Sequence, residues 1–159
     1  MDERKWIERI LAGDTQSFSC LVAKYEKMAY TIALRILENR EEAEEAVQDA
    51  FVKMYRALSD FHFDSKFSTW FYRIVYRTAL TALRQQRMFV SYEEAGPVDL
   101  SNDEVESATA LLEREDRKEM IARTLKKLPA DEALLLTLYY LEECSVEEIC
   151  QITELSASK

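Results

Sequence analysis

Apolar residues recur at spacings of three and four positions through most of this chain, which places them on one face of successive α-helices. In the first half, the pattern predicts one short helix and three longer ones. The second and third helices are preceded by Asp14 and Asn39, and the fourth by Ser68 or Thr69. Each of these side chains can cap its helix by accepting hydrogen bonds from the first backbone N–H groups. The predicted spans are Glu3–Leu11, 15–36, 41–58 and 70–86.

The periodicity stops between residues 91 and 108, where the chain is acidic and carries its Gly-Pro pair. We interpret this stretch as a linker between domains at 1–90 and 109–159. Beyond it, the pattern predicts a helix that Pro129 ends, an apolar helix at 133–141, a turn, and a helix at 146–152 with Ser145 as its N-cap. The apolar residues of the first of these helices are Leu111, Leu112, Met120, Ile121 and Leu125.

The composition supports helices throughout. The 159 residues include two glycines and two prolines, which the turns of a sheet would favour, whereas helix-forming residues are abundant. We therefore predict an all-α protein of two small helical domains. The second has the helix, turn and Ser-capped helix of a helix-turn-helix.

Several kinds of chemistry find no support in the sequence. No apolar run approaches the roughly 20 residues of a membrane helix, and the first residues lack a signal-peptide core, so we expect a cytoplasmic protein without membrane insertion. His62 is the single histidine, and Cys20, Cys144 and Cys150 include no CxxC pair, so neither a metal nor a cofactor is expected. No nucleophile with an activating base is evident, and we do not predict an enzyme.

Charge is distributed unevenly along the chain. The net charge is −9, yet residues 1–87 hold 14 Lys/Arg and 13 Asp/Glu, whereas residues 88–159 hold 7 and 17. Residues 65–92 contain five basic side chains and no acid. At about 100° per residue, four of them share an arc of about 80° on the fourth helix, with Trp70 and Tyr76 on its two sides. We expect this arc to face outward, clear of the rest of the protein.

Such a cationic stripe beside aromatic rings suits a single-stranded nucleic acid, because arginines contact phosphates while bases stack on the rings. The alternatives are a solvated basic face, or one paired with the acidic helix nearby. The candidate DNA-binding residues in this stretch are Lys66, Trp70, Arg73, Tyr76, Arg77, Arg84 and Arg87.

The third predicted helix presents a mixed polar face with one apolar residue, which suits docking onto another helix, although an ordinary solvated face would look similar. The residues of this face are Glu45, Gln48, Asp49, Val52, Lys53 and Arg56.

Six segments of the chain, taken together in order, form a recognisable sequence pattern. They are Gly13-Asp14 with Phe18 and Tyr25, AEEAVQDAFVKMYRAL at 43–58, FSTWFYRI at 67–74 with Leu83-Arg84, Leu128-Pro129, LLLTLYYL at 134–141, and SVEEICQI at 145–152. In this order they resemble the extracytoplasmic-function sigma factors of the sigma-70 superfamily, from about residue 5 to the end. Arg77 and Thr81 depart from the family, which often has an Asn and an Asp there.

The resemblance implies a non-enzymatic subunit that joins core RNA polymerase to promoter DNA. Segment 43–58 would dock on the coiled coil of the largest polymerase subunit, with Gln48 and Asp49 at the matching polar positions. Segment 61–87 would capture the melted minus-ten single strand. An anti-sigma protein is a further implied partner.

The last domain would read the minus-thirty-five duplex through a basic recognition helix, of which the sequence offers only Ser156, Ser158 and Lys159. With that helix incomplete, we expect the helix-turn-helix to lack a packing partner and to be less stable than the first domain.

Two other functions remain open. The acidic second half would also suit a sigma-like decoy that binds an anti-sigma protein without binding DNA, although a decoy has no need of the basic arc. An ordinary helix-turn-helix repressor would leave residues 1–87 unexplained.

Overall fold

The computed structural model describes residues 2–90 and 113–156. All regular secondary structure within those ranges is helical. The prediction of an all-α chain in two helical groups is confirmed. The expected linker, Leu111, Leu112, Ser158 and Lys159 lie outside the described residues. The helices are α1 (Glu3–Leu11), α2 (Thr15–Leu37), α3 (Arg40–Ala57), a 3-10 turn (Leu58–Asp60), α4 (Phe67–Val90), α5 (Glu113–Lys126), α6 (Ala130–Tyr140) and α7 (Val146–Thr153).

Three predicted helix caps are confirmed. Asp14 accepts the backbone N–H of Gln16 at 3.0 Å, and Asn39 accepts that of Glu42 at 3.1 Å. Ser145 forms a reciprocal capping box at the start of α7. Each of these caps joins groups two or three residues apart, so local sequence suffices to set it.

The predicted start of α4 is wrong. The helix begins at Phe67, so Ser68 and Thr69 lie inside it, and the N–H of Trp70 donates to the carbonyl of Lys66 at 3.2 Å. Phe67 is buried and its ring lies 5.3 Å from that of Tyr25 and 6.1 Å from that of Phe71. Burial of this ring supports an extra turn that propensity alone does not predict.

One core joins the helices of the first group. Helices α2, α3 and α4 pack against one another in all three pairs, and α1 packs on α2. The residues at their centre are fully buried: Leu21, Ala29 and Ile32 from α2, Ala43, Ala50 and Met54 from α3, and Phe71, Val75 and Ala79 from α4.

The second group packs on the first, which corrects the expectation that the helix-turn-helix lacks a packing partner. Helix α6 lies against α2, and α7 lies against α4. Their apolar residues continue the core of the first group. These residues are Leu134 and Leu138 from α6, Cys144 from the turn between the helices, and Ile149 and Ile152 from α7.

Helix α5 contributes less to this core. Leu125 is buried, but Met120 is 71% exposed and Ile121 is also exposed, so the predicted apolar stripe of this helix stays largely at the surface.

This shared core predicts that the two groups unfold together. Replacing the fully buried Leu138 by alanine should lower the free energy of unfolding by about 2–5 kcal/mol, because it leaves a cavity. A thermal scan followed by circular dichroism should show one transition, moved down as a whole. Leu136→Ala, on the same helix but exposed, is the matched control. Two separate transitions, with only the weaker one moved by Leu138→Ala, would contradict a shared core.

Candidate nucleic-acid interface

The basic residues of α4 lie on its solvent side. Phe71, Val75 and Ala79, spaced four residues apart, are fully buried and fix the rotation of the helix. The five cations at 65–92 are all exposed, as the arc predicts. These five side chains, Lys66, Arg73, Arg77, Arg84 and Arg87, form the cationic row.

Three members of the cationic row are paired with carboxylates of the second group, so the prediction of a row clear of the rest of the protein is wrong for them. Arg73 Nη2 lies 2.8 Å from Glu154 Oε1, and Arg77 binds the same oxygen. Lys66 Nζ lies 2.8 Å from Glu148 Oε1. The physical reason is that clustered like charges repel, and the acidic second half supplies the nearest counter-charges.

The other end of the row differs. Within residues 2–90 and 113–156, the structure shows no ion pair to Arg84 or Arg87. In that part of the chain, two cations of the row therefore face solvent without a carboxylate partner.

The ion pairs change the acidity of their carboxyl groups. Hydrogen bonds from Arg77 and then Arg73 hold the pKa of Glu154 below its usual range. The hydrogen bond from Lys66 lowers the pKa of Glu148 in the same way, and the pKa of Lys66 is raised. Each shift favours the charged forms, so the pairs are ionic at neutral pH.

Glu154 has an unusual backbone as well as a shared oxygen. It follows α7 in the left-handed region, with φ 61°, where glycine is the usual residue. In the sequence, Glu154 falls near the expected turn glycine of a helix-turn-helix. The carboxylate that takes this position contacts both arginines.

The two predicted aromatic neighbours of the row are half-buried. The Trp70 ring lies 4.9 Å from the Phe61 ring and 5.7 Å from the Phe67 ring. Burial, followed by the charges of Asp131 and Glu154, raises the pKa of Tyr76. Both side chains pack against the core and keep part of their surface in solvent.

Phe63 was not singled out from the sequence. Its side chain is 41% exposed, and its backbone adopts φ 61°. The centre of its ring lies 4.7 Å from that of the Phe61 ring and 4.9 Å from the Arg4 guanidinium. A left-handed bulky residue is uncommon and indicates a constrained loop. The sequence shows a phenylalanine-rich loop at 59–69, the Phe-rich loop, but only the fold shows which of its rings points outward.

The mixed face of α3 is exposed at all six predicted positions, and Val52 is 46% exposed. Lys53 is partly engaged within the protein, because its Nζ lies 3.1 Å from Asp49 Oδ2 and 3.4 Å from Thr78 Oγ1 on α4. Tyr55, which was not singled out for this face, is half-exposed beside Val52, with its ring edge-on to Phe18 at 5.2 Å. The exposed apolar area of this face is larger than the sequence predicts.

The predicted recognition residues are only partly described. Ser156 is exposed just after Glu154, whereas Ser158 and Lys159 fall outside the described ranges. In the described part of the chain, no three His, Cys, Asp or Glu side chains come together as metal ligands, and no helix has the length and apolar character needed to cross a bilayer.

Family comparisons agree with this arrangement. Residues 21–88 match the family model of sigma-70 region 2, and residues 118–159 match that of sigma-70 region 4. The RNA polymerase sigma-H factor of Pseudomonas aeruginosa is 32% identical over 96% of this chain and 82% of its own length. The chain belongs to the sigma-70 family. It is an RNA polymerase sigma factor of the extracytoplasmic-function group, and it acts in transcription initiation.

Other relatives support the assignment to this group. The ECF RNA polymerase sigma-E factor of Escherichia coli K12 is 31% identical over 93% of this chain and 81% of its own length. An NMR structure of an engineered region 2 of sigmaE in complex with GTAAAA superposes with a TM-score of 0.53 and 34% identity, covering 57% of this chain and 94% of that one. CnrH, in a complex with the cytosolic domain of CnrY, gives a TM-score of 0.63 at 21% identity over 98% of this chain and 85% of that one, and shares the fold.

The region 2 match covers most of α2, all of α3 and α4 up to residue 88, and the region 4 match covers most of α5 with α6 and α7. The cationic row therefore belongs to region 2 of this sigma factor. The carboxylates that pair with it, Glu148 and Glu154, belong to region 4.

The pairing of Glu154 predicts a pH dependence for the contact between the two regions. Because its folded pKa is lowered from about 4.5, the stabilisation from this ion pair is fully present above that value and is lost as pH falls through the lowered pKa. An NMR titration of the Glu154 carboxyl should show a midpoint below 4.5. Arg73→Ala/Arg77→Ala should raise this midpoint, whereas Lys66→Ala, which removes only the Glu148 pair, should leave it in place. A midpoint that the double substitution does not move would contradict the pairing.

Proposed function

We propose that this sigma factor holds the melted minus-ten single strand along α4 and binds core RNA polymerase through the exposed face of α3. The observation that carries the proposal is the cationic row itself, which lies on the solvent side of a helix whose opposite face is buried and which shows no ion pair to Arg84 or Arg87 within the described residues. A fold gains nothing from such a row by itself, because its charges repel one another, whereas a polyanion would be attracted to it.

Recognition of the single strand would divide between phosphates and bases. The arginines of the row suit phosphate contacts, and the exposed surfaces of Trp70, Tyr76 and Phe63 offer stacking at roughly 1–3 kcal/mol per base. The similarity to region 2 of sigmaE, whose NMR structure is a complex with GTAAAA, supports a nucleic-acid ligand for this region. The bases that this chain prefers depend on positions such as Arg77 and Thr81, where it departs from the family.

Polymerase binding is assigned to Glu45, Gln48, Asp49, Val52, Lys53 and Arg56, with Tyr55 added because it is exposed next to Val52. A small apolar centre surrounded by polar and charged side chains is typical of a docking surface that also exists free in solution.

The second domain is proposed to read the minus-thirty-five duplex, with Ser156, Ser158 and Lys159 at the start of the recognition segment. The boundaries 1–90, 91–108 and 109–159 are proposed for the two domains and their linker, and the positions of the two family matches support them. The protein would act by binding alone, in the cytoplasm, without a cofactor, while the polymerase performs the chemistry. The complex of CnrH with the cytosolic domain of CnrY supports a regulatory protein partner, which we propose to be an anti-sigma protein.

Arg84 and Arg87 allow a test of the DNA contact that does not disturb the pairs with region 4. Removing one phosphate contact should reduce the slope of log affinity against log salt for single-stranded DNA by about 0.7. We expect Arg84→Ala/Arg87→Ala to flatten this slope in fluorescence anisotropy titrations with promoter single strand. Lys5→Ala/Lys27→Ala removes the same charge from α1 and α2 and should not change it. An unchanged slope in the Arg84/Arg87 variant would count against the row.

Polymerase binding can be tested independently of DNA. Gln48→Ala/Asp49→Lys should abolish co-purification with core RNA polymerase, because it places a third cation beside Lys53 and Arg56 on the docking face. Glu26→Lys, on the exposed side of α2, makes a comparable charge change elsewhere and should leave co-purification intact. Retention of the polymerase by the α3 variant would contradict the assignment of polymerase binding to this face.

A further inference from the structure

We propose that the second helical group is an autoinhibitory cover for the cationic row. Glu148 and Glu154 form ion pairs with Lys66, Arg73 and Arg77. These three cations are among the side chains that the proposed function assigns to DNA phosphates. The protein's own carboxylates and the single strand would therefore compete for these cations. This inference rests on the proposed DNA contact and concerns the regulation of that site.

The contacts are matched along the two helices. At 1.5 Å per residue, Lys66 and Arg73 are about 10 Å apart along the chain direction of α4, and Glu148 and Glu154 are about 9 Å apart along that of α7. One acid meets the first cation of the row and the other meets the next two. A single oxygen of Glu154 accepts from both arginines, as a phosphate oxygen would.

An isolated pair of exposed charges would hold a domain only weakly, since such pairs contribute little in water. Here the ion pairs border an apolar contact. Leu138 and Ile152 are fully buried in the same core as Phe71 and Val75. The buried Tyr72 of α4 donates a hydrogen bond of 2.9 Å to Glu142, in the turn between α6 and α7.

The C-terminal end of the cationic row is where a single strand can make its first contact. Arg84 and Arg87 are exposed and form no ion pair with the residues of the described ranges. A single strand can contact these two first and then displace Glu154 from Arg77 and Arg73. Apparent DNA affinity is reduced by the fraction of molecules that are closed, so weakening the cover should strengthen binding.

Glu154→Gln tests the cover with little risk to the fold, because the residue is about half exposed and lies after the end of α7. We expect the dissociation constant for a fluorescein-labelled single strand containing GTAAAA to fall about three- to tenfold at about 50 mM salt. Glu147→Gln is the matched control, since it removes the same charge from an exposed position in the first turn of α7. It should stay within about twofold of the wild type.

A second measurement needs no DNA. A compact chain of this length has a radius of gyration of roughly 15 Å, and opening should increase it by several ångström in small-angle X-ray scattering. Glu154→Lys, which sets a cation against Arg73 and Arg77, should expand the chain. Glu147→Lys carries the same charge change and should not.

The outcomes separate the cover from the DNA contact. Equal DNA affinity for the wild type, Glu154→Gln and Glu147→Gln overturns the cover and leaves the DNA contact standing. Expansion by Glu154→Lys without any single-strand binding in the whole series overturns the DNA contact and leaves the cover standing. A wild-type chain that is already expanded overturns the cover.

Discussion

The packing of one face of α4 against α2 and α3 is the interaction on which the rest of the structure depends. Phe71, Val75 and Ala79 lie between α2 and α3 and exclude water completely. Rotating α4 by two residues would bring Arg73 and Arg77 into that core and expose apolar area, at roughly 25 cal/mol per Å². The arginines on the opposite face are therefore held outward by packing that they do not themselves take part in.

An outward row of cations then constrains the rest of the chain. The charges repel at short range unless counter-charges approach, and the second half of the sequence carries the large excess of acids. Glu148 and Glu154 meet this need at Lys66, Arg73 and Arg77. Region 4 of this sigma factor thus contacts the cationic row of region 2, so that the proposed DNA contact and the contact between the two regions use the same side chains.

Local signals were read correctly from the sequence where the interacting groups are close in the chain. The caps at Asp14, Asn39 and Ser145 belong to this class, as does the angular position of the arginines on α4. Expectations failed where distant residues intervene. The packing of Phe67 against Tyr25 extends α4 beyond its predicted cap, and the packing of Tyr55 against Phe18 adds an exposed aromatic ring to the mixed face of α3.

The sequence by itself determined the all-α architecture, the rotation of α2, α3 and α4, and the composition of the basic and mixed faces, because helical periodicity and capping act over a few residues. Only the tertiary structure decided which cations have partners, which ring of the Phe-rich loop is exposed, and where α7 lies. Glu154 and Arg73 are 81 positions apart. No local pattern specifies such a pair, since its formation depends on how two separately coded surfaces pack together.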